Sequence, residues 1–176
     1  MDIPLVLQNS SAAARQLDVI YTDIAQRVRA TTEARPLWPC HKGCDGCCRR
    51  LAQPPEMTAA EWDVVRQGFL HLSPATQPEV AQRIRALADW TDGSVTCPFL
   101  DDAHGTCLIY AYRPAACRMY GFYVSRMDHW WCADIQALYE AGVCDGVILG
   151  NHDAIERALH QQCGEVKALV EWFEHM

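Results

Sequence analysis

No apolar run in this sequence approaches the roughly 18 residues that a membrane-crossing helix needs. The run nearest the start, Ile3 to Leu7, is interrupted by Pro4. No membrane is therefore expected as a partner. Positive charge is also scarce, with 15 Lys and Arg against 22 Asp and Glu and a formal net charge of −7. Such a balance repels phosphate backbones, and no nucleic-acid partner is expected without a local basic patch. The opening MDIPLVLQNSSAAAR has neither the basic stretch nor the long apolar stretch of a secretory signal, so a cytoplasmic protein is expected. Internal repeats, low-complexity tracts and a linker long enough to separate a pair of domains are all missing. With 176 residues, 50% of them hydrophobic, the chain is long enough for one buried core and is read as a single domain over 1–176.

Cysteine, by contrast, is plentiful, at ten residues. In a reducing compartment clustered cysteines are read as metal ligands or redox groups before they are read as disulfides. Around them the pattern is helical. Leu17, Ile20, Tyr21, Ile24 and Val28 mark one face of a helix from about Ser11 to Glu33, ended by Pro36 and Pro39. Thr58 with Glu61, and Thr76 with Glu79, have the spacing of capping boxes and predict two short helices. Gly93, Pro98, Gly105 and Pro114 punctuate the stretch from Ser94 to Val124, which reads as a small hairpin and loop. A helix is expected after Asp128, with Trp131, Ile135, Leu138 and Tyr139 on one face. A last helix from near Asn151 should carry Ile155, Leu159, Cys163, Val166, Val170 and Phe173 on one side. The fold class expected is mainly α, a single small domain of helices around an irregular cysteine-rich region with a short hairpin.

The stretch from Cys40 to Cys48 packs Cys40, Cys44, Cys47 and Cys48 into one loop, with Gly43 and Gly46 to let it curl until several sulfurs converge. Buried cysteines acting as small hydrophobes would need a regular element to bury them, and this stretch shows no helical or strand period. Cys97, Cys107 and Cys117 follow at intervals of ten residues, then Cys132. Together these make eight, enough to fill two four-coordinate sites. Adjacent residues point apart, so Cys47 and Cys48 are poorly placed to share one ion. Two centres dividing the pair, or one centre with a spare thiol, are both open. Cys163 belongs to the apolar face of the last helix, Cys144 is open to either role, and His41 and His104 are weaker candidates as ligands. Lys42, Arg49 and Arg50 are expected to favour thiolates in the loop, and Arg113 and Arg118 to donate to sulfur or bind an anion. The spacing Cys40-x3-Cys44-x2-Cys47 matches a radical S-adenosylmethionine motif, but two capped helices follow it instead of the strand-helix series such enzymes need.

The C-x3-C-x2-CC group, Cys97-Pro98-Phe99-Leu100, Gly105-Thr106-Cys107-Leu108-Ile109-Tyr110 and Arg113-Pro114-Ala115-Ala116-Cys117-Arg118-Met119-Tyr120, taken together and in this order, resemble the YkgJ-type cysteine-cluster family. The likeness covers about residues 40–120. It implies a zinc- or iron-chelating domain, with Cys40, Cys44, Cys47, Cys48, Cys97, Cys107 and Cys117 as metal ligands and Cys132 as an eighth. Flagellin lysine N-methylases carry a similar cluster, whereas no S-adenosylmethionine loop is recognisable here.

The leading expectation is a metal-binding protein, zinc or iron–sulfur, whose cluster is structural or redox-related, because all-thiolate ligation fills the coordination shell. One alternative is a metal-dependent enzyme, carrying out methylation or redox modification at an open cluster position. Another is an adaptor whose acidic helical surface binds a protein partner. Ligand spacing does not separate zinc from iron–sulfur, since both accept four thiolates in a tetrahedral array.

Overall fold

The computed structural model describes residues 11–126, 131–144 and 146–176. The first helix, α1 (Ala12–Ala34), starts where Ser11 accepts a hydrogen bond from the Ala14 N–H at 3.2 Å. It buries Leu17, Ile20 and Ile24, the stripe that the sequence spacing predicts. A short turn α2 (Gly46–Arg49) and a strand β1 (Glu56–Thr58) lead into α3 (Ala59–Leu70). There the Thr58–Glu61 capping box forms as expected. Next come α4 (Thr76–Arg85), extended by a 3-10 turn over Ala86–Asp89, and the expected hairpin, β2 (Leu100–Asp101) paired antiparallel with β3 (Thr106–Cys107). The remaining elements are α5 (Ala115–Met119), β4 (Tyr123–Val124), α6 (Ala133–Glu140), β5 (Gly150–Asn151), α7 (His152–Gln162), β6 (Val166–Ala168) and α8 (Leu169–Glu174). The fold is mainly helical with three two-stranded sheets among the described residues.

Three expectations need correction. Thr76 and Glu79 form no capping box: Thr76 is already helical, and its N–H is accepted at 3.1 Å by Ser73, three residues earlier. The last helix is not continuous. α7 ends at Cys163, Gly164 takes φ +92°, and the chain then extends into β6, which pairs antiparallel with β1 in the register Glu56↔Ala168 and Thr58↔Val166. The left-handed glycine ends the helix without steric cost, and the ladder satisfies backbone groups that a continuing helix would have satisfied itself. Finally, Trp131 lies ahead of α6, stacked on Tyr139 with ring centroids 5.1 Å apart. The expected helix start at Asp128 lies outside the described residues.

Two apolar clusters share α3. One gathers Trp62, Val65 and Phe69 with Val80 and Ile84 of α4, Leu100 and Ile109 of the hairpin region, and Leu169 and Phe173 of α8. The other gathers the α1 stripe with Ala60, Ala115 and Met119 of α5, Ile135 of α6 and Leu159 of α7. The cysteine-bearing segments attach to both.

Candidate metal centre

The first cysteine loop is fastened at its leading end. The buried Trp38 indole donates to the Gly121 carbonyl at 3.0 Å, and the Cys40 thiol donates to the Tyr120 carbonyl at 3.3 Å. Gly121 sits at φ +83°, and a Cβ added there would lie 3.1 Å from the Cys40 sulfur. Only glycine allows the segment after α5 to lie this close to the loop. The Cys44 N–H then closes a turn on the His41 carbonyl at 3.1 Å, and α2 follows. This helical turn corrects the expectation of an aperiodic loop; one turn is too short to leave a periodic signal. It sets Cys47 and Cys48 on successive positions, about 100° apart around the axis, and leaves Cys44 ahead of the cap at Asp45; the two adjacent thiols nonetheless hydrogen-bond with each other, which corrects the expectation that they point apart.

Beyond α2, the chain lies against the hairpin. Leu51 and Val95 form an antiparallel bridge, and the Cys97 N–H donates to the Cys48 carbonyl at 2.7 Å. In the hairpin Cys107 stands opposite Leu100. Arg49 clamps the two segments, its guanidinium 2.7 Å from both Asp45 and Asp102. The helix bearing Cys117 is held by a contact that sequence reasoning missed. Glu61 is buried, accepts from the Thr58 N–H and hydroxyl through one oxygen, and through the other accepts the Ala115 N–H at 2.8 Å. A single buried carboxylate thus caps α3 and anchors the start of α5. Cys132 occupies the N-cap position of α6.

The candidate thiols act on one another. Burial, with the neighbouring Cys47, Cys44 and Cys132, pushes the Cys40 thiol up to about 12. The Cys47 thiol is raised by a hydrogen bond with Cys48, by burial and by the Cys48 charge. At Cys48 the hydrogen bond with Cys47 lowers the value, but a hydrogen bond with Cys97, burial and the charges of Cys97 and Cys107 raise it to about 12. Cys117 is pushed up to about 12 by burial, then by Cys47, Cys48 and Cys107. Burial also raises Cys107. Clustered thiols in low dielectric resist ionising together, and a bound cation is what relieves that repulsion. The donor set therefore fits a thiophilic metal. Among the described residues no three such donors are already closed about one point, so closure requires the side chains to turn.

The cation acting on these thiols is Arg113, which lowers Cys40, Cys47, Cys107 and Cys117 alike. It lies 3.5 Å from the centroid of the Tyr110 ring and donates to the Tyr110 carbonyl at 3.0 Å. Arg49, expected in that role, is instead engaged by its two carboxylates. Arg118 braces the loop before α5, donating to the carbonyls of Arg113 and Ala111 at 2.7 Å each, with its guanidinium over the Tyr21 ring. His41 is exposed with Nδ1 3.0 Å from the Lys42 carbonyl, and His104 pairs with Asp101 at 2.8 Å. Cys163 lies in the helical core, its thiol 3.9 Å from the Ala13 carbonyl, and Cys144 is buried in the same cluster.

Fold and thiol cluster define a small helical metal-binding protein. Residues 39–144, more than half of the chain, match the CxxCxxCC family, described as "Putative zinc- or iron-chelating domain". The chain belongs to that family. The match runs past the segment 40–120 on which the sequence resemblance rests and takes in Cys132 and Cys144. No curated protein and no solved structure matches the chain. No helix among the described residues is long and apolar enough to cross a membrane.

Proposed function

We propose that this protein holds zinc or an iron–sulfur cluster on Cys40, Cys44, Cys47, Cys48, Cys97, Cys107, Cys117 and Cys132, and that the metal's first role is structural. One observation carries this reading. The thiols come from segments far apart in sequence that meet through contacts other than metal ligation: Trp38 to Gly121 and Cys97 to Cys48 join thiol-bearing segments directly, and Ala115 to Glu61 fixes the Cys117 helix on α3. A metal on thiolates from these segments cross-links the loop, the hairpin, α5 and α6 in one step. An all-thiolate shell leaves no open coordination position. Bound iron–sulfur would add electron transfer, and bound zinc would supply cross-linking alone. The partner is the metal itself; the net charge of −7 opposes nucleic acid, and a reducing compartment such as the cytoplasm suits thiols kept for metal.

Anaerobic purification followed by metal analysis and a visible spectrum tests this. A colourless protein with stoichiometric zinc, or a brown one with broad absorption and bound iron, supports the reading and separates its two forms. Protein that stays metal-free when offered either metal, with every candidate thiol open to alkylation, overturns it.

A further inference from the structure

Resting on that metal-binding reading, we propose that the eight thiols divide into two four-thiolate centres. Cys40, Cys44, Cys47 and Cys132 form an outer centre on the α1/α5/α6 side, and Cys48, Cys97, Cys107 and Cys117 form an inner centre against the hairpin.

The two apolar clusters already sort the outermost members. Cys97 is buried in the cluster built from α3, α4 and α8, and Cys48 and Cys107 pack against that cluster. Cys40 and Cys132 pack against the other, beside Ile135 and Trp38. Backbone contacts reinforce the sorting. The Cys97 N–H bonds to the Cys48 carbonyl, Cys107 pairs across the hairpin with Leu100, and the Leu108 N–H reaches back to the Phe99 carbonyl at 2.9 Å. On the other side the Cys40 thiol is fixed on the Tyr120 carbonyl. Apart from Cys47, which also hydrogen-bonds with Cys48, the neighbours of Cys40 and Cys48 follow the same line, with Cys44 and Cys132 around Cys40 and Cys97 and Cys107 around Cys48.

Cys47 lies at the junction, with Cys40 as a neighbour on one side and Cys48 and Cys117 on the other. Four ligands per centre assign Cys47 outward, since it neighbours Cys40 of the outer set, while Cys48 is held to the hairpin through the Cys97 N–H. Cys117 then completes the inner set, where Cys48 and Cys107 are its neighbours. Each centre binds by exchanging four thiol protons for a cation, with no change of oxidation state at sulfur. The outer set includes Cys44, the one exposed thiol of the eight, whereas the inner set includes buried Cys97. A chelator therefore reaches the outer centre first.

Metal content of serine variants, measured as a fraction of wild type, tests the partition. Cys97→Ser and Cys132→Ser should each keep half. The pair Cys97→Ser/Cys117→Ser, within one set, should also keep half, and Cys97→Ser/Cys132→Ser, across the sets, should keep none. A within-set pair that loses everything, or a cross-set pair that keeps half, overturns the partition while leaving metal binding intact. Metal-free wild-type protein overturns both. A measurement on the wild type alone guards against variants that fail to fold. After partial stripping with a chelator, alkylation mapped by mass spectrometry should label Cys40, Cys44, Cys47 and Cys132 together while the other four stay protected. Label spread evenly over all eight, or Cys117 labelled with the first group, would sink the assignment.

Discussion

The α1/α7 pair and the cysteine loop stand in opposite relations to their own sequences. α1 has its cap in Ser11, its buried stripe in Leu17, Ile20 and Ile24, and a partner in α7. Nothing outside ordinary helix packing is needed to hold it. The stretch from Cys40 to Cys48 has one helical turn with no buried residue in it, and its contacts are a few hydrogen bonds to other segments and the packing of Cys40 and Cys48 at the edges of the two clusters. Regular elements hold themselves by periodic burial; irregular ones are held from outside, here by neighbouring carbonyls and by Arg49, and under the proposed function by metal as well.

Metal removal should break this comparison open most widely. Hydrogen exchange of chelated protein should show loop and hairpin amides from 39–51 and 97–124 losing about 100-fold or more in protection, corresponding to about 2.7 kcal/mol, while α1 keeps its own. Equal loss in α1 would mean that the frame also depends on the metal.

Alkali should act next, and only on the metal-free form. Cys40, Cys48 and Cys117 are raised from an ordinary 9.0 to about 12 in the fold, so the folded state holds their protons more tightly than the unfolded chain does. Their contribution is complete below about pH 9 and is lost as pH rises through 12. The Tm of metal-free protein should therefore fall across that window. Metal-loaded protein, whose thiols are already deprotonated in the fold, should lack this component, and parallel falls in both forms would show that other groups are responsible.

Much of the frame was legible in the sequence because its signals are local. Ser11, the α1 stripe, the Thr58–Glu61 box and the glycine turn of the hairpin each act within a few residues. The break at Gly164 was hidden because the apolar positions of α7 and α8 stay in one helical phase across it, and a strand of three residues leaves no period. The eight candidate cysteines were legible by type and spacing, but their neighbours were not. The Arg49 pair with Asp45 spans only four residues, but its pair with Asp102 spans 53 and the action of Arg113 on Cys40 spans more, and such distant contacts leave no local signal.

Glu61 belongs to both regions, since it caps α3 and holds the Ala115 N–H at the start of the Cys117 helix. Glu61→Gln keeps the shape but turns one acceptor into a donor facing donors, which should cost about 1–3 kcal/mol in denaturant unfolding. If α5 positions Cys117, the same variant should also bind metal less tightly in competition with a chelator. Unchanged metal affinity alongside lost stability would confine Glu61 to the helical frame.

The smallest effect should come from a cysteine that has no role in the cluster. Cys163 is fully buried where α7 ends, packs among Leu17, Leu159 and Ala60, and is pushed up to about 11 by burial and by Glu61. It therefore behaves as a small apolar side chain with a weak donor. Cys163→Ala should cost about 1–2 kcal/mol as a modest core truncation and leave the metal content at the wild-type level. Cys44→Ala removes an exposed thiol that packs against neither core, so unfolding of the metal-free form should hardly change while the loaded form loses metal. The two variants thus separate the regions by opposite readouts, stability without metal loss in one and metal loss without core damage in the other. Equal metal loss in both would place Cys163 among the ligands and erase the boundary between frame and cluster.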